Sequence, residues 1–219
     1  MTPDYELAAI KAAETLITYG ITSAPVDPLP ILKRLPGVLV MTFDDISKKA
    51  NVQRIEILDM FGCDNQDALT TVYIDGASPL YVVAYNKMLP SVLVDRALAR
   101  ELGHIILRHD GTKPESVRNE EARAFAKHLL IPRPLINAIV ASGIRLTTGV
   151  MNSLTGCSEQ CIACLHRLPA VSVPADLNRQ IRDNFMPYIT NYFSYQRHAE
   201  KKDVTALADL GTYMDGYEE

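Results

Sequence analysis

The stretch DRALARELGHIILRHD, Asp95 to Asp110, reads as the greater part of a helix over residues 91–109. Pro90-Ser91 opens that helix, with Ser91 as its N-cap. Within it Glu101 and His104 stand three residues apart, and Arg100 immediately precedes them. Three readings compete: an enzyme site missing one ligand, a site that binds metal in another way, or a helix that never held metal.

Composition narrows the field. A chain of 219 residues can bury a real core and fits one domain, or one domain with a substantial appendage. Apolar residues make up 47% and charged residues 22%, which places it among ordinary globular chains. A formal net charge of -4 disfavours nucleic acid and anionic membranes as partners. No stretch approaches the roughly 20 apolar residues needed to span a bilayer. The opening MTPDYELAAIKAAETL carries charges throughout and lacks the apolar centre of a secretory signal, so a cytoplasmic location is expected.

Along the chain, residues 5–18 show helical spacing of Leu7, Ile10, Ala13 and Leu16/Ile17, with Gly20 as the stop. A proline-punctuated connection leads into a short helix over Leu29–Leu35, and VLVMTF (38–43) reads as a buried strand. Residues 44–67 mix a polar helical segment with a loop. LTTVYID (69–75) and LYVVAYN (80–86), separated by a turn-forming GASP, predict a hairpin and hence a sheet of about three strands. Pro114 and Glu115 mark another helix start; that helix runs to the residues before Pro132 and pairs antiparallel with the one before it. TTGVMNSLTG followed by SEQCIACLHRL has the outline of a helix-turn-helix, but the second helix carries one arginine and no cluster suited to base edges. Two packed core helices are the expectation there. From Pro174 onward, amphipathic segments rich in Tyr and Phe predict an added helical layer or a protein interface, with a frayed end.

The four cysteines are Cys63, Cys157, Cys161 and Cys164. Three crowded into one helical stripe suit small buried thiols on a packing face rather than a secreted disulfide framework. The same spacing resembles the iron-sulfur motif of radical SAM enzymes, yet the chain has no room for their barrel. Cys63 or His166 would be the fourth ligand of any metal or redox site built there.

The letters Glu-x-x-His also end the metallopeptidase motif His-Glu-x-x-His, in which two histidines four residues apart share a helix face and one zinc ion. The glutamate then acts as general base on a metal-bound water, and a third ligand comes from another element. Here Arg100 fills the first position, and a protonated guanidinium has no lone pair to offer. On a continuous helix His109 lies about 140° round from His104 and points away. His128 shares a face with Glu121 but sits about 10 Å further along the axis, too far to share one ion.

YNKMLPSVLVDRALARELGHIILRH followed by NEEARAFAKHLLIP resembles the ImmA/IrrE family of zinc-metallopeptidase-like proteins. Upstream, LITYGITSAPVDPLPILKRLPGVLV is similar to the family's opening helix, connection and first strand, so the resemblance covers roughly residues 5–168. It implies an α+β, zincin-like metallopeptidase domain with a small β-sheet and an active-site helix pair, plus C-terminal helical segments. The expected division is a domain over 1–135 and a helical extension over 136–219 packed on it. Carried over by position, Glu101 matches the general base, His104 the second histidine ligand, and Glu121 the acidic third ligand, with Glu120 as the alternative register. Arg100 stands where the first histidine is expected and Arg123 where an asparagine is common. The scaffold residues Phe125, Ala126, Leu129, Leu130 and Pro132 are kept.

The departures therefore concentrate in the site. Arg100 is expected to pair with Glu121, or near Glu101, in place of the metal's charge. The resemblance implies a degenerate, non-catalytic protein-binding or regulatory role linked to phage or mobile-element regulators. The cofactor expectation is no metal, or weakly bound zinc. The alternative is a zinc-dependent endopeptidase cleaving a repressor-like protein, with Glu101 as base and His104 and Glu121 on zinc. The expected partner is a protein or peptide.

Overall fold

The computed structural model describes residues 1–53, 55–57, 67–75, 78–109, 111–143, 147–156 and 171–214. Cys63, Cys157, Cys161, Cys164, His166 and the second half of the helix-turn-helix outline lie outside them. The elements follow local signals closely. Helix α1 (Tyr5–Thr18) is capped by the Asp4 carboxylate, which accepts from the Leu7 amide, and the chain leaves it through Gly20 at φ 64°. Helix α2 (Pro28–Arg34) is capped by Asp27, with proline at its start. Strand β1 (Val38–Thr42) runs into α3 (Phe43–Ala50) through a capping box. There Thr42 Oγ1 accepts from the Asp45 amide while the Asp45 carboxylate accepts from the Thr42 amide.

Strands β2 (Ala68–Asp75) and β3 (Ser78–Tyr85) form the expected hairpin. The sheet has the order β1-β3-β2, with β3 parallel to β1 and antiparallel to β2. Successive side chains on β3 point to opposite faces. Val83 accordingly enters the main core, while Ala84 joins Phe43, Ile57 and Leu69 in a smaller cluster. Thr70 is paired with Val83 and so shares its face, toward the helices.

Helix α4 (Ser91–Ile106) and helix α5 (Glu115–Leu130) pack on each other and on α1, and α4 also covers β2 and β3. Ser91 is the first residue of α4 and makes no cap; Pro90 holds the N-cap position. Beyond them come α6 (Arg133–Ala141), α7 (Thr148–Thr155) and α8 (Ala175–Met214). Instead of separate segments, the tail forms one helix that continues through Pro187. Ile181, Phe185, Ile189 and Phe193 recur every fourth residue and are all buried in the main core. That anchoring on both sides of Pro187 offsets the hydrogen bond a helix-interior proline forfeits. Among the described residues no helix is long and apolar enough to cross a membrane.

The α4–α5 contact is closest at Gly103. A Cβ there would stand 3.0 Å from Phe125 Cδ1 and 3.2 Å from the Ala122 carbonyl oxygen. Phe125 is fully buried and Ala122 offers backbone, so neither can move aside freely. Gly103→Ala would gain about 1 kcal/mol of helix propensity but meets an overpacking cost of about 1–3 kcal/mol. The expected result is a lower urea midpoint than wild type; an unchanged or higher midpoint would show that the two helices can separate.

Candidate functional site

The structure departs from the sequence reading at the end of α4. The helix stops at Ile106 rather than 109, and Arg108 takes a left-handed conformation at φ 53°. The Arg108 amide then donates to the Ile105 carbonyl at 3.1 Å and the His109 amide to the His104 carbonyl at 3.0 Å. This pair of bonds is the Schellman closure, here with arginine at the position usually held by glycine. It turns the chain back on itself, so His109 returns to the face from which helical geometry would have removed it. His109 Nδ1 lies 2.9 Å from His104 Nδ1, and its Nε2 lies 2.9 Å from Glu121 Oε2.

Glu121 sits on the inner face of α5 and is 1% exposed. Its carboxylate accepts four hydrogen bonds. Oε1 accepts from the Asp4 backbone amide at 2.8 Å and Oε2 from His109, while Lys113 Nζ donates to both oxygens at 2.8 Å. A carboxylate offers about four lone-pair sites, and all are used. The neighbouring Glu120 instead pairs with Arg123 on the solvent side, so Glu121 is the buried register.

This network fixes the tautomers. Ionised Glu121 can only accept, so His109 carries its proton on Nε2 and its Nδ1 accepts the proton of His104 Nδ1. Burial would raise the Glu121 carboxyl, but donation by Lys113, the Asp4 amide and His109 outweighs it and the carboxyl is lowered. His104 is pushed down to about 4, first by burial and then by its neighbours His109, Arg100 and Arg118. His109 is lowered by burial, against the pull of Glu121.

Glu101 faces the sheet, where its Oε2 accepts from Thr70 Oγ1 at 2.8 Å. It is buried, and that burial raises its carboxyl despite the Thr70 bond and the charge of Arg100. Arg100 does not pair with Glu121; Lys113 takes that place. Arg100 Nε, like Arg118 Nε, is buried without a hydrogen-bond partner. The structure thus joins His104 to Glu121 through His109 and leaves Glu101 on a separate bond to β2. Sequence reasoning missed His109, Lys113, Arg118, Thr70 and the Asp4 amide. His109 was lost because the turn has no glycine at position 108 to announce it.

A zinc ion does not fit these side chains as they stand. Glu121 has no free lone pair, an ammonium already bridges its oxygens, and Arg100 adds a second positive charge near His104. Among the described residues no group of three or more His, Cys, Asp or Glu side chains is arranged to hold a metal ion.

The neutral histidines make stability depend on pH. The folded His104 lies near 4 against an ordinary 6.5, so its contribution is complete above 6.5 and declines as pH falls toward 4. Asp95, raised to about 6 by burial and Asp27, and the raised Glu101 act in the opposite sense at the acid end of this window. The difference between proteins therefore isolates the effect. Wild type is expected to lose up to about 1.4 kcal/mol per pH unit more than His104→Gln between pH 6.5 and 5, read by urea unfolding. Parallel profiles would mean that His104 is protonated in the fold.

Residues 63–151 match the family model described as the IrrE N-terminal-like domain (Peptidase_M78), a narrower span than the sequence resemblance suggested. No curated protein and no solved structure matches the chain. The span runs from before β2 into α7 and contains Glu101, His104, His109, Lys113 and Glu121, while the Asp4 amide at the head of α1, which donates to Glu121, precedes it. The chain therefore carries an IrrE-like domain over residues 63–151, with β1 from before that span completing its three-stranded sheet.

Proposed function

We propose that this protein is a degenerate relative of the ImmA/IrrE peptidases that acts without catalysis, as a protein-binding or regulatory module. On this reading residues 1–135 form a zincin-like domain and 136–219 a helical extension packed on it. Arg100 replaces the first histidine ligand, and His104 and Glu121 are the remnants of the metal set. Glu101 is the remnant of the general base, with Thr70 now holding its carboxyl. The partner is a protein or peptide, a repressor-like regulator in the family's phage or mobile-element setting, bound in the cytoplasm through the former substrate cleft.

One observation carries the reading. The carboxylate that would complete a zinc site is saturated by four donors, two of them from the Lys113 ammonium. An ammonium in that position supplies the positive charge that a buried carboxylate needs and leaves no carboxylate lone pair free for a dication. Arg100 pushes in the same direction, since a fixed guanidinium near His104 opposes a second cation.

Metal analysis of protein purified without a histidine tag tests the proposal. Wild type is expected to hold far less than one zinc per chain. Arg100→His alone is expected to remain empty, because Lys113 still occupies Glu121. Arg100→His combined with Lys113→Met is expected to gain zinc. Stoichiometric zinc in wild type, lost in His104→Ala or Glu121→Ala, would restore the endopeptidase alternative.

A further inference from the structure

Away from the His104–Glu121 network, a groove of about 330 Å³ opens where the first turn of α6 meets the first two turns of α8. Its polar lining consists of Arg133 and Asn137 from α6 and Asn178, Arg179 and Arg182 from α8. Among the described residues no carboxylate lines it. Arg182 is shared with Asp183 at 2.9 Å, both side chains being half exposed. Arg133 and Arg179 have no ion-pair partner among the described residues. Asp176 lies near the start of α8 but does not face into the groove. In a chain of net charge -4, this is a local reversal of sign.

We propose that this groove is a docking site for an acidic segment of a protein partner. The argument is charge complementarity and its layout. Exposed arginines that lack partners keep their planar forks free for carboxylates, which they bind through two parallel hydrogen bonds. Arg179 and Arg182 are about 4.5 Å apart along the α8 axis, and Arg133 stands across from them on α6. Such a row suits carboxylates spaced along a peptide better than one compact oxyanion. The groove is open to solvent along its length, as a passing chain requires. The N-terminal ends of α6 and α8 add their positive ends to the same space, and no side chain caps α6. Asn137 brings a carboxamide, a group suited to reading a peptide backbone, while Asn178 Nδ2 already donates to the Val173 carbonyl at 2.9 Å.

The site is independent of the metal question and holds whether or not the His104–Glu121 network binds zinc. It also gives the helical extension a role of its own.

The test uses the full chain and a fluorescein-labelled oligoglutamate peptide, followed by fluorescence anisotropy at low ionic strength. Wild type is expected to bind saturably, and more weakly as salt is raised. Arg133→Gln with Arg179→Gln is expected to weaken binding at least about tenfold with an unchanged melting temperature. Arg96→Gln, on the exposed side of α4, is expected to leave it unaltered, and Arg133→Lys with Arg179→Lys to restore part of the loss. Absence of wild-type binding, or equal binding by the glutamine variant, would overturn the proposal. Displacement of the peptide by inorganic phosphate, where chloride at the same ionic strength displaces none, would assign a compact oxyanion instead and overturn it equally.

Discussion

A buried carboxylate without partners is among the most costly groups a fold can contain, and Glu121 obliges the surrounding chain to supply them. The donors come from two places far apart in sequence: the backbone amide at the head of α1, and His109 and Lys113 in the turn between α4 and α5. One side chain on α5 therefore ties the N-terminal helix and the α4–α5 connection to the same point. The tie constrains α1 directionally, since an amide at 2.8 Å fixes where the helix begins. It also explains why Arg108 holds a left-handed backbone. That conformation costs an arginine about 1–2 kcal/mol. The two closure bonds at Ile105 and His104, and the buried contacts of His109, offset it.

The same network reverses the electrostatic logic of a metal site. Such a site gathers neutral imidazoles and anions around an empty space that a dication fills. Here the positive charge is covalent. Lys113 touches Glu121, while burial, helped by Arg100 and Arg118 from nearby, keeps the His104 imidazole neutral. The orphaned Nε atoms of Arg100 and Arg118 are the residual cost, each of the order of 1–3 kcal/mol if no water reaches them. A site assembled in this way can keep its shape across metal-rich and metal-poor conditions, because no ligand has to be acquired from solution to complete it.

How much of this was legible in the sequence depended on the range of the interaction. Pro114 and Glu115 announced a helix start through local signals, and GASP announced the hairpin. Glu101, His104 and Glu121 could be singled out because helical spacing and family resemblance both pointed to them. The bonding between sites could not. Asp4 and Glu121 are separated by 117 positions, and nothing local marks a backbone amide for a distant carboxylate. The Arg100–Glu121 pair was a reasonable electrostatic guess, but Lys113 could reach the same carboxylate from a loop without strain in the helix. The tail, expected as amphipathic segments in an added helical layer, is one continuous helix for a related reason. Pro187 is a local breaker, whereas the burial of Ile181, Phe185, Ile189 and Phe193 that overrides it is tertiary.

The C-terminal helix follows from the same balance of local cost and distant gain, and it divides the molecule's surfaces by chemistry. Its buried stripe joins the main core with α1 and α6, so α8 is part of the domain's packing rather than an attached tail. That packing brings the starts of α6 and α8 together, which places Arg133 beside Arg179 and Arg182. The apolar residues that make α8 continuous are therefore also what assembles a basic groove in an acidic chain. The Glu121 locus is closed by internal pairing, while this groove keeps its cations exposed, two of them without an ion-pair partner among the described residues. The Lys113 charge, by contrast, is already spent on Glu121.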